Sequence, residues 1–290
     1  MNIGATADQA KAHPLDRCTG DELEGAVGIL GKSGKLSDQA FFACGFADEP
    51  DKDLVLNFKA GKSFDRVIRL LGHDPKQKQS FDARVSLTSD KLVAFDWVED
   101  GQVAVTGADV IKCIKLLYKS EEWIEAMAKR GIEDLSMVHV EPWVAGRRPE
   151  GMEPDGRVVS AIFFLHKHLD DNHYARPIEG LIVHVDLDSE HMIVVDHGVV
   201  PIPEDDGEYA SSRVDSMRGD LKALEILQPD GPSFDVEGQV IRWQKWKMHV
   251  SVNPVEGLVL HDVRYDDDGR DRSILYRASL SDMVVPYGDS

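Results

Sequence analysis

The apolar positions along the chain switch between helical and strand-like spacing, and a helix followed by strands occurs twice. The first helix signal is the capping-box pattern Thr19-Gly-Asp-Glu22, which opens a run of apolar residues at helical spacing. Short apolar runs typical of strands follow at 39–46, 53–58, 66–71, 82–87 and 91–98. This order predicts a first α+β module over residues 1–100.

The same order begins again after residue 100. Thr106 is placed to cap a helix over 109–118, and a second helical stretch covers 120–130. Strand-like runs follow at 137–144, 158–165, 180–187 and 191–195. A second α+β module is therefore predicted over 101–203, and its matching order suggests that the two modules are related.

The pattern changes again in the last third of the chain. Residues 204–230 are rich in acids, Pro and Gly, which is typical of a surface linker. Strand-like runs follow at 240–252, 257–265 and 273–276, and Asp266-Asp-Asp-Gly269 has the composition of a hairpin turn. We expect residues 231–290 to begin an all-β domain that is incomplete, because its apolar face needs a partner layer. The predicted fold class is therefore α+β, with two antiparallel-sheet-plus-helix modules followed by the first strands of a large β-sandwich.

Composition narrows the function classes. The 290 residues carry 33 Lys+Arg and 52 Asp+Glu, a formal charge of −19. This balance argues against partners with dense negative charge, so neither a nucleic acid nor an anionic membrane is expected. The first residues have no apolar signal-peptide core, and no apolar run approaches the roughly 20 residues that span a bilayer. A cytoplasmic protein is the expectation.

Several short motifs invite a chemical interpretation. Cys18, Cys44 and Cys113 are too few for a disulfide framework and are expected to be buried or half-buried thiols. Gly31-Lys32-Ser33 lacks the first glycine of a phosphate-binding loop and is predicted to end a helix. His166 and His168 would share one face of a strand and could form half of a metal site. No further ligand at a recognisable spacing completes that site, so a solvated strand end is favoured and no metal site is predicted.

Longer motifs point to a family. Trp243-Gln-Lys-Trp246, the run 257–265 and the run 274–289 with Pro286-Tyr287-Gly288-Asp289 resemble the opening of the catalytic domain of copper-containing primary-amine oxidases. Residues 172–180 and 195–203 resemble the second small N-terminal module of that family. The resemblance covers nearly the whole chain and is weakest between residues 35 and 100.

The resemblance implies a function. Family members form homodimers that use O2 to convert primary amines to aldehyde, ammonia and hydrogen peroxide, with copper and topaquinone as cofactors. The quinone-forming Asn-Tyr-(Asp/Glu) motif, the copper-binding histidines and the catalytic aspartate of the family have no counterparts in this chain. The chain is therefore expected to be an N-terminal portion that is inactive alone and binds neither cofactor. The alternative is a non-catalytic scaffold or interaction subunit that pairs with a separately encoded catalytic half.

The resemblance also assigns site residues. Tyr287 corresponds to the tyrosine whose hydroxyl orients the topaquinone ring. Four positions correspond to the lining of the substrate channel, where bulky side chains would favour flat or slender amines; the alternative is plain core packing. These positions are Val110, Pro142, Trp143 and Tyr174. Val255 stands where relatives usually carry Arg, and its lack of charge is expected to leave a nearby carboxylate unpaired.

Overall fold

The first module is a sheet covered by one helix. The computed structural model describes residues 13–146, 149–152, 156–205, 207–208, 210–280 and 283. The strands β1 (Phe41–Ala47), β2 (Val67–Asp74), β3 (Gln79–Ser86) and β4 (Lys91–Val98) pair antiparallel in chain order, and helix α1 (Gly20–Lys32) packs on them. Both halves of the predicted capping box are present between Thr19 and Glu22. The helix ends at Lys32, which confirms that the Gly-Lys-Ser sequence terminates a helix.

The prediction of a strand over 53–58 is wrong. Lys52–Leu56 is a short helix, α2, in which the backbone N–H of Asn57 donates to the carbonyl oxygen of Asp53. Only Val55 is buried, whereas Leu54 and Leu56 remain partly exposed. A single buried position fits one helical turn on the surface better than a strand, which would present alternate residues to a core.

The second module repeats this architecture with two helices. The helices α3 (Gly107–Leu117) and α4 (Glu121–Lys129) cover the strands β5 (Val138–Val144), β6 (Val158–Leu165), β7 (Leu181–Asp186) and β8 (Met192–Asp196), which again pair antiparallel in chain order. Thr106 caps α3 through a capping box with Asp109. Leu117, Trp123 and Phe163 lie in the buried core between helices and sheet.

The third unit is a five-stranded antiparallel sheet. Its strands are β9 (Phe234–Glu237), β10 (Val240–Trp243), β11 (Trp246–Asn253), β12 (Gly257–Asp267) and β13 (Arg270–Ser279). The single strand expected over 240–252 is wrong, because a turn at Gln244-Lys245, with φ of +54° at Gln244, divides it into two paired strands. β9 was not predicted, whereas the α+β fold class and the hairpin turn before Gly269 are confirmed.

The acidic segment before this sheet has little regular structure. From residue 204 to 233, no helix or strand occurs among the residues that the structure describes.

Two half-buried thiols, Cys18 and Cys44, and the buried thiol of Cys113 are all free, as predicted. No helix in the described part of the chain is both long and apolar enough to cross a membrane.

The first module covers part of the third sheet, which the sequence analysis did not anticipate. Arg277 on β13 donates from Nε to Oε2 of Glu49, at 2.8 Å, and from Nη2 to Oε1, at 3.0 Å. The same guanidinium also pairs with Glu256 and donates from Nη1 to its Oε1, at 3.1 Å. The expectation that Val255 leaves a carboxylate unpaired is therefore wrong, since Arg277 satisfies the neighbouring Glu256.

This ion-pair network predicts acid sensitivity. Hydrogen bonds from Arg277 hold the pKa of Glu256 at about 2, below its ordinary 4.5. Burial would raise the pKa of Glu49, but hydrogen bonds from His261 and Arg277 bring it to about 2 as well. A carboxyl with a depressed folded-state pKa contributes stability that is complete above pH 4.5 and is lost as the pH falls through about 2.

Replacing Glu256 with glutamine is therefore expected to lower the free energy of unfolding by about 1.5–3 kcal/mol near pH 6. The difference from the unsubstituted chain should shrink steadily between pH 4.5 and 2, since protonation removes the same charge. Denaturant unfolding at several pH values measures this difference. Asp268→Asn is the control, because the Asp268 carboxylate is exposed on a hairpin turn and its substitution should have little effect. A difference for Glu256→Gln that stays constant with pH would contradict the argument.

The first and second modules meet through a buried pair. Nε2 of His73, on β2, lies 2.9 Å from Oδ2 of Asp188, in the turn between β7 and β8. The two side chains are only 2% and 3% exposed. Oγ of Ser80 is 3.2 Å from the other ring nitrogen, Nδ1 of His73. Both ring nitrogens of this histidine thus have polar neighbours although the ring is buried between two modules.

Candidate functional site

The edge strand β5 of the second module carries two of the four predicted channel residues, Pro142 and Trp143. Its regular pairing with β6 makes successive side chains alternate between the two faces of the sheet. Val138 and Val140 are buried in the core beneath the helices. His139, Glu141 and Trp143 consequently point to the opposite face.

Trp143 and Tyr174 lie on that opposite face and are accessible. Their side chains are 58% and 56% exposed. The hydroxyl of Tyr174 donates to Oε1 of Glu141, at 2.8 Å, and the hydrogen bond raises the pKa of Tyr174. The Tyr174 ring also contacts Phe164 edge-on, with 5.0 Å between centroids. These contacts hold Tyr174 on the sheet face to which Trp143 also points.

The other two channel residues lie on the helix side of the sheet. Pro142 alternates with Trp143 and therefore shares the face of Val140. Val110 is half-buried in the first turn of α3, on the same helix face as the core residue Cys113. The structure thus divides the four residues between the two sides of an edge strand. Tyr287 lies outside the described residues.

Three histidines meet beside Tyr174. The ring of His173 stacks on that of His139, with 3.9 Å between centroids, and lies 4.9 Å from that of His166. Each of the three offers a ring nitrogen, and these three atoms all lie within 4.8 Å of one another. His166, for which the sequence suggested His168 as a partner, therefore lies beside His139 and His173 instead.

The suggested pairing of His166 with His168 on one strand face is wrong. β6 ends at Leu165, and His168 lies in an exposed turn. His166 is also not the solvated strand end expected, since its side chain is only 12% exposed and lies against the other two rings. Asp171 shapes the turn, accepting hydrogen bonds from the backbone N–H groups of Lys167 and His168 and lying 2.8 Å from Nδ1 of His166.

Burial and mutual proximity lower the pKa of two of the three histidines. Burial has the largest effect on the pKa of His139 and of His173. Positive charge on His166 would lower the pKa of both further, and positive charge on His173 would also lower that of His139. Glu141 acts in the opposite direction on both. Nε2 of His173 is buried and has no hydrogen-bond partner among the described residues. The rings of His139 and His173 are thus favoured in the neutral form that donates a lone pair.

A second group of ligand-type side chains lies where the first module meets the third sheet. Nε2 of His249 is 3.3 Å from Oδ1 of Asp16, and the rings of His13 and His249 stack at 5.1 Å. Nδ1 of His13 accepts a hydrogen bond from the backbone N–H of Leu15. This group is largely paired within itself and joins two parts of the chain.

His139 was not predicted from the sequence because the signal lies across two strands. His139 pairs with Phe164, and the backbone N–H of His166 donates to the carbonyl oxygen of Met137, which continues the ladder beyond β6. His139 and His166 are therefore diagonal neighbours on one sheet face. Aligning the two strand-like runs as a hairpin, with their polar residues on a common face, could have found this pair.

Comparison with known proteins agrees with this architecture. Three family models match consecutive parts of the chain, described as "AGAO-like N2 domain" over 19–94, "Copper amine oxidase, N3 domain" over 108–212 and "Copper amine oxidase, enzyme domain" over 235–290. The chain is also 36% identical, over 293 aligned residues, to the primary amine oxidase of Arthrobacter sp. (strain P1). The chain belongs to the copper amine oxidase family.

Other family members also match nearly the whole length of this chain. The histamine oxidase of Arthrobacter globiformis is 34% identical over 99% of this chain. The copper-containing benzylamine oxidase from Hansenula polymorpha has a similar fold, with a TM-score of 0.75, 21% identity and coverage of 92% of this chain and 44% of that one. The chain spans 44% of the Arthrobacter sp. primary amine oxidase and 42% of the histamine oxidase. It thus contains the family's N-terminal domains and the beginning of its enzyme domain.

Proposed function

We propose that this chain is the N-terminal portion of a homodimeric primary-amine oxidase, which converts primary amines and O2 to aldehyde, ammonia and hydrogen peroxide. The observation that carries the proposal is the ordered match of three copper amine oxidase domains along one chain. The identity of 36% to a primary amine oxidase, spread over the whole chain, supports it.

These residues do not fit the catalytic cofactors. Topaquinone would supply the electron sink for amine oxidation, but the sequence contains no Asn-Tyr pair from which the family forms it. Of the two described groups of ligand-type residues, only His249 comes from the enzyme-domain match. We therefore assign no redox step to this chain and propose that it is inactive alone.

The role we propose for this chain is to position the substrate. Trp143 and Tyr174 offer an aromatic surface beside β5, and the hydrogen bond to Glu141 restrains Tyr174. Flat aromatic walls of this kind restrict the width of an amine that passes between them. Pro142 and Val110, on the other side of the edge strand, would shape the same entrance from the helix side. Tyr287 would orient the quinone in the complete enzyme.

Two experiments test this proposal, and the second separates it from its alternative. The purified 290-residue chain, incubated with copper, O2 and methylamine, should give no peroxide and no quinone stain. The coding DNA after codon 290 should continue in frame with an Asn-Tyr-(Asp/Glu) sequence. A stop codon there, followed by an independent start for the remaining sequence, would favour the scaffold subunit that pairs with a separate catalytic half.

In the complete enzyme, Trp143→Ala is expected to relax selection against bulky amines. The ratio of kcat/KM for benzylamine to that for methylamine should rise by about 10-fold, since one methylene more or less in an apolar pocket changes discrimination by roughly 10–200-fold. Steady-state peroxide release measures both values. Trp243→Ala is the matched control, because Trp243 is a partly exposed tryptophan on β10. Equal ratios for the two variants would exclude Trp143 from the channel.

A further inference from the structure

The cluster of His139, His166 and His173 has the composition and spacing of a metal site. Its three candidate nitrogens lie within 4.8 Å of one another. With metal–nitrogen bonds of about 2.0–2.1 Å, the ligand nitrogens of a tetrahedral site are about 3.3 Å apart. Closing this difference requires rotation of the three half-buried rings.

We propose that His139, His166 and His173 bind a divalent first-row transition ion, with Zn2+ as the ion to test. Imidazole nitrogen is a ligand for zinc, copper and nickel, whereas calcium and magnesium require oxygen ligands. Three histidines leave the fourth tetrahedral position open to water.

The surroundings of His166 match those of a metal-binding histidine. Nδ1 of His166 lies 2.8 Å from Oδ1 of Asp171, so the carboxylate can accept a hydrogen bond from Nδ1–H and leave Nε2 to bind the ion. Asp171 is itself fixed, because its other oxygen accepts backbone hydrogen bonds from Lys167 and His168. Such a carboxylate–histidine pair selects the tautomer and orients the ring toward the ion.

The state of His173 provides the second, independent observation. Its Nε2 atom is buried and has no hydrogen-bond partner among the described residues. A buried polar atom without a partner is unfavourable, and a metal ion would use its lone pair. The nearby carboxylates of Glu141 and Asp171 would offset the charge of the ion, as their influence on His173 indicates.

An ion here would connect three parts of the second module. His139 lies on β5, His166 follows β6, and His173 begins the 3-10 turn His173–Ala175. The turn includes Tyr174, whose hydroxyl is held by Glu141 of β5. If the proposed channel is correct, the ion would fix Tyr174 relative to Trp143; metal binding itself does not depend on that function.

The test is zinc titration of the metal-free 290-residue chain by calorimetry, with Mg2+ as the comparison ion. One Zn2+ per chain should bind at this site. Loss of an outer-sphere partner costs about 10–100-fold in affinity, so loss of a direct ligand in His173→Ala or His139→Gln should cost at least about 100-fold. His168→Ala is the matched control, because His168 is exposed two residues from His166 and should leave the affinity unchanged.

A second measurement tests whether the variants fold and whether zinc binds at another site. Unfolding midpoints of the metal-free variants should match that of the unsubstituted chain. Zinc should raise the midpoints of the chain, His168→Ala and His13→Ala, but not those of His173→Ala and His139→Gln. His13→Ala should retain the zinc site, which excludes the group around His249. The proposal is overturned if the unsubstituted chain binds no zinc, if His173→Ala and His139→Gln bind it as tightly as His168→Ala, or if His13→Ala abolishes binding.

Discussion

Replacing Arg157 with alanine is expected to lower the free energy of unfolding by about 3–5 kcal/mol. Arg157 is only 1% exposed, and its guanidinium donates to both carboxylate oxygens of Asp109, from Nε to Oδ1 at 3.0 Å and from Nη2 to Oδ2 at 2.7 Å. Removing one member of a buried ion pair leaves the other charge without compensation. Burial would raise the pKa of Asp109, but the hydrogen bonds from Arg157 and Thr106 hold it below its usual range.

Further contacts of Arg157 add to the loss. Its Nη1 and Nη2 atoms donate to the carbonyl oxygens of Val103 and Ala104, at 2.8 and 2.6 Å. The guanidinium carbon lies 5.5 Å from the ring centroid of Phe41 on β1, so the side chain also contacts the first module. Alanine would leave these two carbonyl groups without their donors in the segment that leads into α3.

Denaturant unfolding at neutral pH measures the effect. Arg218→Ala is the matched control, because Arg218 and Asp220 form an ion pair in which both side chains are largely exposed. Such exposed pairs contribute about 0–1 kcal/mol. Similar losses for the two variants would show that the Arg157 pair does not stabilise the second module.

Replacing Trp123 with alanine is expected to cost about 3–5 kcal/mol. Trp123 is fully buried on α4, with its ring centroid 5.5 Å from that of Tyr118 and 5.8 Å from that of Phe163. Removing the indole leaves a cavity between the helices and the sheet that the surrounding side chains can only partly fill.

Phenylalanine at the same position separates volume from polarity. Nε1 of Trp123 has no hydrogen-bond partner within the described part of the chain, so Trp123→Phe removes no hydrogen bond and leaves a smaller cavity. Its cost should therefore be well below that of Trp123→Ala. Trp143→Ala, at an exposed tryptophan of the same module, should change stability by less than about 0.5 kcal/mol. A cost for Trp123→Ala no larger than that for Trp143→Ala would contradict this packing.

Local signals in the sequence were sufficient for the helices that carry caps. Thr19 with Glu22, and Thr106 with Asp109, each satisfy one another's backbone within one turn, so their geometry depends on residues three apart. The order of helix and strands in both modules was predicted for the same reason. Apolar spacing within each run reports on the element that the run forms.

Elements whose form depends on distant residues were not predictable. The apolar run 53–58 has no cap or period that separates a strand from a single helical turn, and burial of Val55 decides the outcome. The break between β10 and β11 depends on a left-handed conformation at Gln244, a residue type that does not signal one. Coverage of the third sheet by the first module depends on Glu49 meeting Arg277, residues far apart in the chain.

The candidate site also contains residues that could be predicted from the sequence and residues that could not. Trp143 and Tyr174 were identified through resemblance to a family, and the structure places them on one face. The histidine cluster was missed because the register of β5 and β6 brings His139 beside His166, while a later turn adds His173. Spacing along the sequence suggested His168 as the partner of His166. Because β6 ends at Leu165, His168 does not share a strand face with His166.

The pair of His73 and Asp188 has a consequence for the exchange of modules between relatives. A chimaera could take its first module from one relative and its second from another. The buried carboxylate at position 188 would then be paired only if the first module supplied a matching side chain at position 73. The two modules thus form separate sheets, but the residues at positions 73 and 188 have to be exchanged together. A recombination point near residue 100, where the sequence pattern restarts, would separate two buried side chains that contact each other across the modules.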